Sequence, residues 1–130
     1  MGVRRYVNTD FWGDPWILEL EPKEKLVFLY LLTNDKSNML GAFELSLKVA
    51  EFELGIPEDE LELIFQKFTN EGKIIYEDRF LVIINWVRHQ SFNKNMLKNA
   101  VQTYDKLKPE QQNKIPECIK SKFESLIDNI

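Results

Sequence analysis

Apolar positions along this chain fall into two kinds of pattern, short continuous runs and stripes spaced three and four residues apart. The clearest run lies in residues 72–86, where Ile74-Ile75-Tyr76 and Phe80-Leu81-Val82-Ile83-Ile84 flank Glu77-Asp78-Arg79. Two β-branched and aromatic segments around a short polar turn predict a tight antiparallel hairpin. A lone two-stranded ribbon is marginal in water, so helices must cover its apolar face.

Helical patterns lie on both sides of it. Pro22 opens the strongest, with Glu21 as cap, Glu24 at the third helical position and an apolar run from Leu26 through Leu32. Apolar residues on nearly every face make this a central helix. The polar loop at 34–38 leads to Gly41-Ala42-Phe43-Glu44, a turn and a very short strand that would be the third of a small sheet. Ser46 is placed to cap a helix over 47–54, and Gly55-Ile56-Pro57 breaks it. The next helix, from 58, carries Leu61, Ile64, Phe65 and Phe68 on one stripe and stops at Glu71-Gly72.

Before the central helix, Thr9-Asp10-Phe11-Trp12 and Asp14-Pro15-Trp16-Ile17-Leu18 read as an arm of two capped helical turns. Phe11, Trp12, Trp16 and Leu18 are expected to pack on the body, although such aromatics also stack on bases. After the hairpin, Asn93 caps a helix to about residue 107 with Leu97, Ala100, Val101, Tyr104 and Leu107 on one face. Ile119, Phe123, Leu126 and Ile127 stripe a last helix, where Cys118 reads as a semi-buried thiol without a redox role.

Central helix, short strand, two helices joined by a tight turn, then a ribbon is the order of a winged helix-turn-helix. The expected fold is therefore mainly α with a small antiparallel β-sheet (α+β). It divides into a winged helix-turn-helix domain with its N-terminal arm over residues 1–92 and a C-terminal helical extension over 93–130.

Composition narrows the function. At 130 residues, 44% hydrophobic and 29% charged, the chain holds enough apolar residues for one core. It shows no signal core and no apolar stretch long enough to span a bilayer, which predicts a cytoplasmic protein with no membrane partner. One cysteine and one histidine cannot build a usual zinc site, so no metal and no cofactor are expected. No nucleophile-elbow, Cys/His or phosphate-loop pattern is present, so no catalytic residue and no enzyme are expected. The net charge of -4 hides an asymmetry: residues 1–87 hold nine Lys or Arg against sixteen Asp or Glu, and residues 88–130 hold eight against five. Attraction to nucleic acid should lie late in the chain.

Several stretches in order carry a resemblance: Tyr6-Val7-Asn8-Thr9-Asp10-Phe11-Trp12; residues 20–34 from Leu20-Glu21-Pro22 to Leu32-Thr33-Asn34; Gly41-Ala42-Phe43-Glu44; Asn70-Glu71-Gly72-Lys73-Ile74; and Asn85-Trp86-Val87-Arg88-His89-Gln90. Over about residues 4–108 the chain resembles the winged-helix N-terminal domains of phage and prophage replication-initiation proteins, the DnaD-like replisome organizers. The resemblance implies DNA binding, self-association into a homo-oligomer, and contacts with replisome proteins such as the replicative helicase or its loader. Family members often continue into a second helical domain, so the end at Ile130 reads as a short variant or a fragment.

The candidate contacts are to the DNA backbone, with low sequence specificity. In a groove-reading helix-turn-helix the second helix carries donors, yet residues 58–71 offer Lys67 alone against Glu58, Asp59, Glu60, Glu62 and Glu71. Those acids also suit the helix dipole, which needs no partner. At the wing tip only Arg79 can touch a phosphate. The segment after the wing is richer: Arg88, His89, Lys94 and Lys98 follow one another, with Lys94 and Lys98 one helical turn apart, and Arg4 and Arg5 join them if the arm lies nearby. Exposed lysines of this kind also serve solubility alone. Two other readings stand beside DNA binding. One is an assembly domain that uses the acidic helix or the amphipathic tail and has little DNA binding of its own; the other is a phage transcription regulator.

Overall fold

In the computed structural model, which describes residues 3–90 and 92–128, the chain begins with a 3-10 turn at Thr9–Gly13 and a one-turn helix α1 (Pro15–Leu18). Asp14 starts α1, because its Oδ1 accepts from the backbone N–H groups of Trp16 at 2.9 Å and Ile17 at 3.4 Å. Helix α2 (Pro22–Thr33) opens on the expected capping box: the Glu24 carboxylate accepts from the Glu21 backbone N–H at 2.9 Å. It buries Val27, Phe28, Leu31 and Leu32, while Leu26 stays exposed.

Strand β1 (Ala42–Glu44), helices α3 (Leu47–Leu54) and α4 (Glu58–Asn70), and strands β2 (Ile74–Glu77) and β3 (Phe80–Ile83) follow. The fold is α+β, mainly helical around one three-stranded antiparallel sheet of order β1-β3-β2. Leu81 sits opposite Phe43 on one side and Tyr76 on the other, so the short strand expected at Phe43 is the sheet's third member. All four residues of β3 are buried. Successive side chains point to opposite faces, so both faces of the sheet's central strand are covered.

The hairpin turn consists of Asp78 and Arg79, since Glu77 and Phe80 still pair. Both turn residues have positive φ, 51° and 64°, which gives the twist that two-residue hairpins favour without using a glycine.

Beyond β3 the chain makes a second one-turn helix, α5 (Trp86–His89). Trp86 is fully buried, and its indole N–H donates to the Met39 carbonyl at 2.8 Å. Its ring lies against the α-carbon of Gly41, where a Cβ would come within 2.3 Å of Trp86 Cγ. Gly41 also has φ +73°, a conformation side chains resist.

Helices α6 (Lys94–Lys106), α7 (Pro109–Gln112) and α8 (Glu117–Asp128) form the extension. Leu97, Ala100, Ile115, Ile119 and Phe123 join the buried cluster built by α2, the sheet and α4. Gln111 Nε2 donates to Glu44 Oε1 and Lys114 Nζ to Asp78 Oδ2, both at 2.8 Å, which fastens the 111–114 segment to the hairpin end of the sheet. Residues 93–128 thus pack onto the body through a continuous apolar cluster.

Three expectations need correction. Phe11 is buried and Trp16 half-buried, but Trp12 and Leu18 are exposed, because elements of a single turn can direct only one side inward. Cys118 is exposed, since it falls off the Ile119 and Phe123 stripe. Ser46 precedes α3 but makes no side-chain cap bond.

Gly41→Ala is expected to lower stability by about 3 kcal/mol, combining left-handed strain with overpacking against Trp86. Gly13→Ala, at an exposed position with open space around it, is the control and should change little. Urea unfolding of the two variants checks this; equal midpoints would show that Trp86 does not depend on Gly41.

Candidate nucleic-acid interface

Helix α4 brings its one basic residue to an internal partner. Lys67 Nζ donates to Glu24 Oε1 at 2.9 Å, across to α2. Burial opposes ionisation of Glu24, but the Lys67 hydrogen bond, the Glu21 backbone N–H and the Lys67 charge together hold its carboxyl below the ordinary value. The same Glu24 hydrogen bond raises the Lys67 ammonium. Lys23 pairs with Glu60 at 2.8 Å. The exposed side of α4 is left with Asp59, Glu62, Leu63 and Gln66, an acidic and partly apolar surface.

At the hairpin, Arg79 is exposed and its carbonyl accepts from the Leu45 N–H at 2.8 Å. Its neighbour Asp78 is held by Lys114, whose hydrogen bond lowers the Asp78 carboxyl. The turn is therefore tethered by the extension rather than projecting alone.

The arm does lie beside the post-hairpin segment. Gln90 is buried, and its Nε2 donates to the Tyr6 carbonyl at 2.8 Å. That contact places Arg4 and Arg5 close to the chain that carries Arg88. Arg5 turns inward instead of out: its Nε donates to Ser37 Oγ at 3.1 Å and its Nη2 to the Ser37 carbonyl at 2.7 Å, and partial burial lowers its pKa. Arg4 remains exposed.

Helix α5 sends Arg88 and His89 toward the arm. Arg88 Nη2 lies 3.5 Å from Asp14 Oδ2, a long pair whose arginine side is exposed, so it contributes little to stability. His89 packs edge-on against Phe28, with ring centroids 5.6 Å apart. Burial is the main cause that lowers the His89 pKa; Asp14 opposes it, and Arg88 and Lys73 act in the same direction as burial. Between the 10–15 turn and these two residues is a cleft of about 230 Å³. Lys73 sits nearby, its ammonium 4.8 Å from the centre of the Trp16 ring.

Lys94 and Lys98 are exposed on α6, and among the described residues neither forms an ion pair. Of the eight candidates, Arg88 and His89 share the wall of the cleft, Arg5 is held at Ser37 with Arg4 exposed beside it, and Lys94 and Lys98 lie a few residues further along the chain. Lys67 lies at the α2–α4 contact and Arg79 at the hairpin tip. Sequence reading passed over Lys73 and Asp14, because nothing local shows that the arm returns to meet β2 and α5. The Asp14-Pro15 cap was visible, but not its second contact to Arg88.

Among the described residues no group of His, Cys, Asp or Glu is arranged to hold a metal ion, and no helix is long and apolar enough to cross a membrane. No family model, curated protein or solved structure matches the chain.

His89 is the chain's single histidine, so its proton resonances give a clean titration. Its pKa should fall below the ordinary value of about 6.5. A histidine depressed in the fold stays neutral there while the unfolded chain protonates, so its contribution is fully present above about pH 6.5 and is lost as pH falls toward the folded pKa. Urea midpoints measured through that window should fall less steeply for His89→Gln than for the unaltered chain. A pKa at or above about 6.5 would contradict the half-buried placement against Phe28.

Proposed function

We propose that this chain is the winged-helix, DNA-binding module of a phage or prophage replication-initiation protein, one that contacts the DNA backbone and helps assemble the replisome. The observation that carries the reading is the order α2, β1, α3, α4, β2, β3 with β1 paired to β3. Two helices joined by a tight turn thus precede a hairpin that shares a sheet with the earlier short strand. The resemblance over residues 4–108 supplies the replication context.

The contact surface in this reading is the arm and the segment after the hairpin, not the helix that usually enters a groove. Carboxylates at contact distance from a phosphate backbone are repelled, and screening at physiological salt acts over about 8 Å, too far to hide them. The exposed Asp59 and Glu62 therefore keep α4 out of the major groove. Arg4, Arg88, Lys94 and Lys98 remain as phosphate contacts, and point charges of this kind read little sequence.

The exposed surface of α3 and α4 favours a second reading, an assembly domain. Phe52 is 90% exposed and Leu63 is 68% exposed, on helices that also carry Asp59 and Glu62. A surface that is apolar and acidic suits a protein partner better than DNA. In that case light scattering of the purified chain should report more than one copy, and Phe52→Ser with Leu63→Ser should return it to a monomer. A monomer from the outset at micromolar concentration would count against self-association.

For the DNA reading, anisotropy of a labelled duplex should rise at low salt, with log affinity falling linearly as log salt increases. Lys94→Glu with Lys98→Glu should reduce the slope by roughly 2, one for each lost phosphate contact. No anisotropy change with duplex or single strand at low salt would overturn it.

A further inference from the structure

We infer that the apolar groove between α6 and α8 is the seat for Phe52 of a second copy of the chain, so that copies join by pairing two different faces. This rests on the assembly reading above and adds the surface that receives Phe52.

The groove lies in the C-terminal extension and holds about 280 Å³ of open space. Val101 on α6 and Ile119, Phe123 and Ile127 on α8 line it, together with Leu40 and Ile115. Leu40, Ile115, Ile119 and Phe123 are buried, whereas Val101 and Ile127 are 40% and 41% exposed. The groove therefore has buried apolar walls and an apolar rim that meets water. Covering such a rim with hydrocarbon is favourable, because water gains few hydrogen bonds there. An apolar cavity of about 150 Å³ already takes a benzene ring, so this one has room for a phenyl group.

Phe52 is 90% exposed, more than any other large apolar residue among those described. Helix α3 packs through Ala50, Leu47 and Leu54, so its place in the fold makes no use of Phe52. A ring that stands almost wholly in water does not fill its own chain's groove. The match of ring and groove is thus between copies.

Charge favours the same pairing. Residues 47–71, which carry α3 and α4, hold two Lys against seven Asp or Glu, while residues 94–128 hold seven Lys against five. Phe52 itself lies between Glu51 and Glu53. At the groove Lys120 is only loosely held: its Nζ is 3.8 Å from Glu117 and 5.7 Å from the centre of the Tyr104 ring. Glu124 lines the groove as well, so the attraction is one of overall balance and not of a single ion pair. Two α3–α4 faces set against each other would repel, whereas an α3–α4 face on an extension is attracted. The contact is therefore between unlike faces, and a copy that has lost one face still binds through the other.

The test uses the whole chain and measures mass by light scattering at tens of micromolar. The unaltered chain is expected to assemble. Phe52→Ser should weaken assembly roughly 30-fold, as loss of an aromatic anchor does, whereas Phe52→Leu retains most of it. Val101→Glu and Ile127→Glu, at the exposed positions of the groove, should weaken it as much and keep the parent's melting temperature. An equimolar mixture of Phe52→Ser and Val101→Glu should form a complex again, because the first keeps its groove and the second keeps Phe52. If both groove variants assemble like the parent, or if the mixture stays monomeric, the inference is overturned while self-association stands. If the unaltered chain is itself a monomer, the assembly reading fails and this inference fails with it.

Discussion

The seating of Trp86 on Gly41 organises the region that carries Arg88 and His89. A fully buried indole needs a flat, close surface and a hydrogen-bond acceptor, and the turn before β1 supplies both, through the bare α-carbon of Gly41 and the carbonyl of Met39. This contact fixes where the chain goes after β3. Because α5 is a single turn that starts at Trp86, the directions of Arg88 and His89 follow from how the indole is held. Helix α5 is too short to be stable alone, so its position comes from this anchor and not from helix propensity.

Phe28 plays the complementary part from the other side. It lies at van der Waals reach of Trp16, Phe68 and His89 and stacks on Phe11, so one ring of α2 joins the arm, α4 and α5. The arm is held by these rings and by polar ties from Arg5 to Ser37 and from Gln90 to Tyr6. Two otherwise separate stretches, residues 4–16 and 86–90, become one surface. In the reading proposed above, DNA meets the molecule on that surface, while the hairpin mainly completes the sheet and is itself tethered to Lys114.

Ion pairing sorts the candidate cations differently. Lys67 faces Glu24 and Lys23 faces Glu60, so these two cations of the acidic half are turned to neighbouring acids. Lys94 and Lys98, on a helix whose only acid is Asp105, have no acid placed to pair with them among the described residues. Charge alone makes α4 a poor partner for a polyanion and the arm with the later segment a better one.

The order of the longer helices, the three strands and the core stripe of α4 were legible in the residues themselves, because each depends on local signals, whereas the one-turn helices α5 and α7 were not. The box of Glu21 and Glu24, the Leu61-Ile64-Phe65-Phe68 stripe and the two apolar runs around Asp78-Arg79 act over a few positions, and periodicity reports them directly. The basic character of the segment from Arg88 onward was legible for the same reason. What only the tertiary structure decided is which of these residues meet. Arg5 faces Ser37, Arg88 faces Asp14 and Trp12 stays in water beside a buried Phe11, and each outcome depends on contacts between residues far apart in the chain or on the single inward side of a one-turn element. Such contacts arise from packing geometry, which leaves no periodic trace in the sequence.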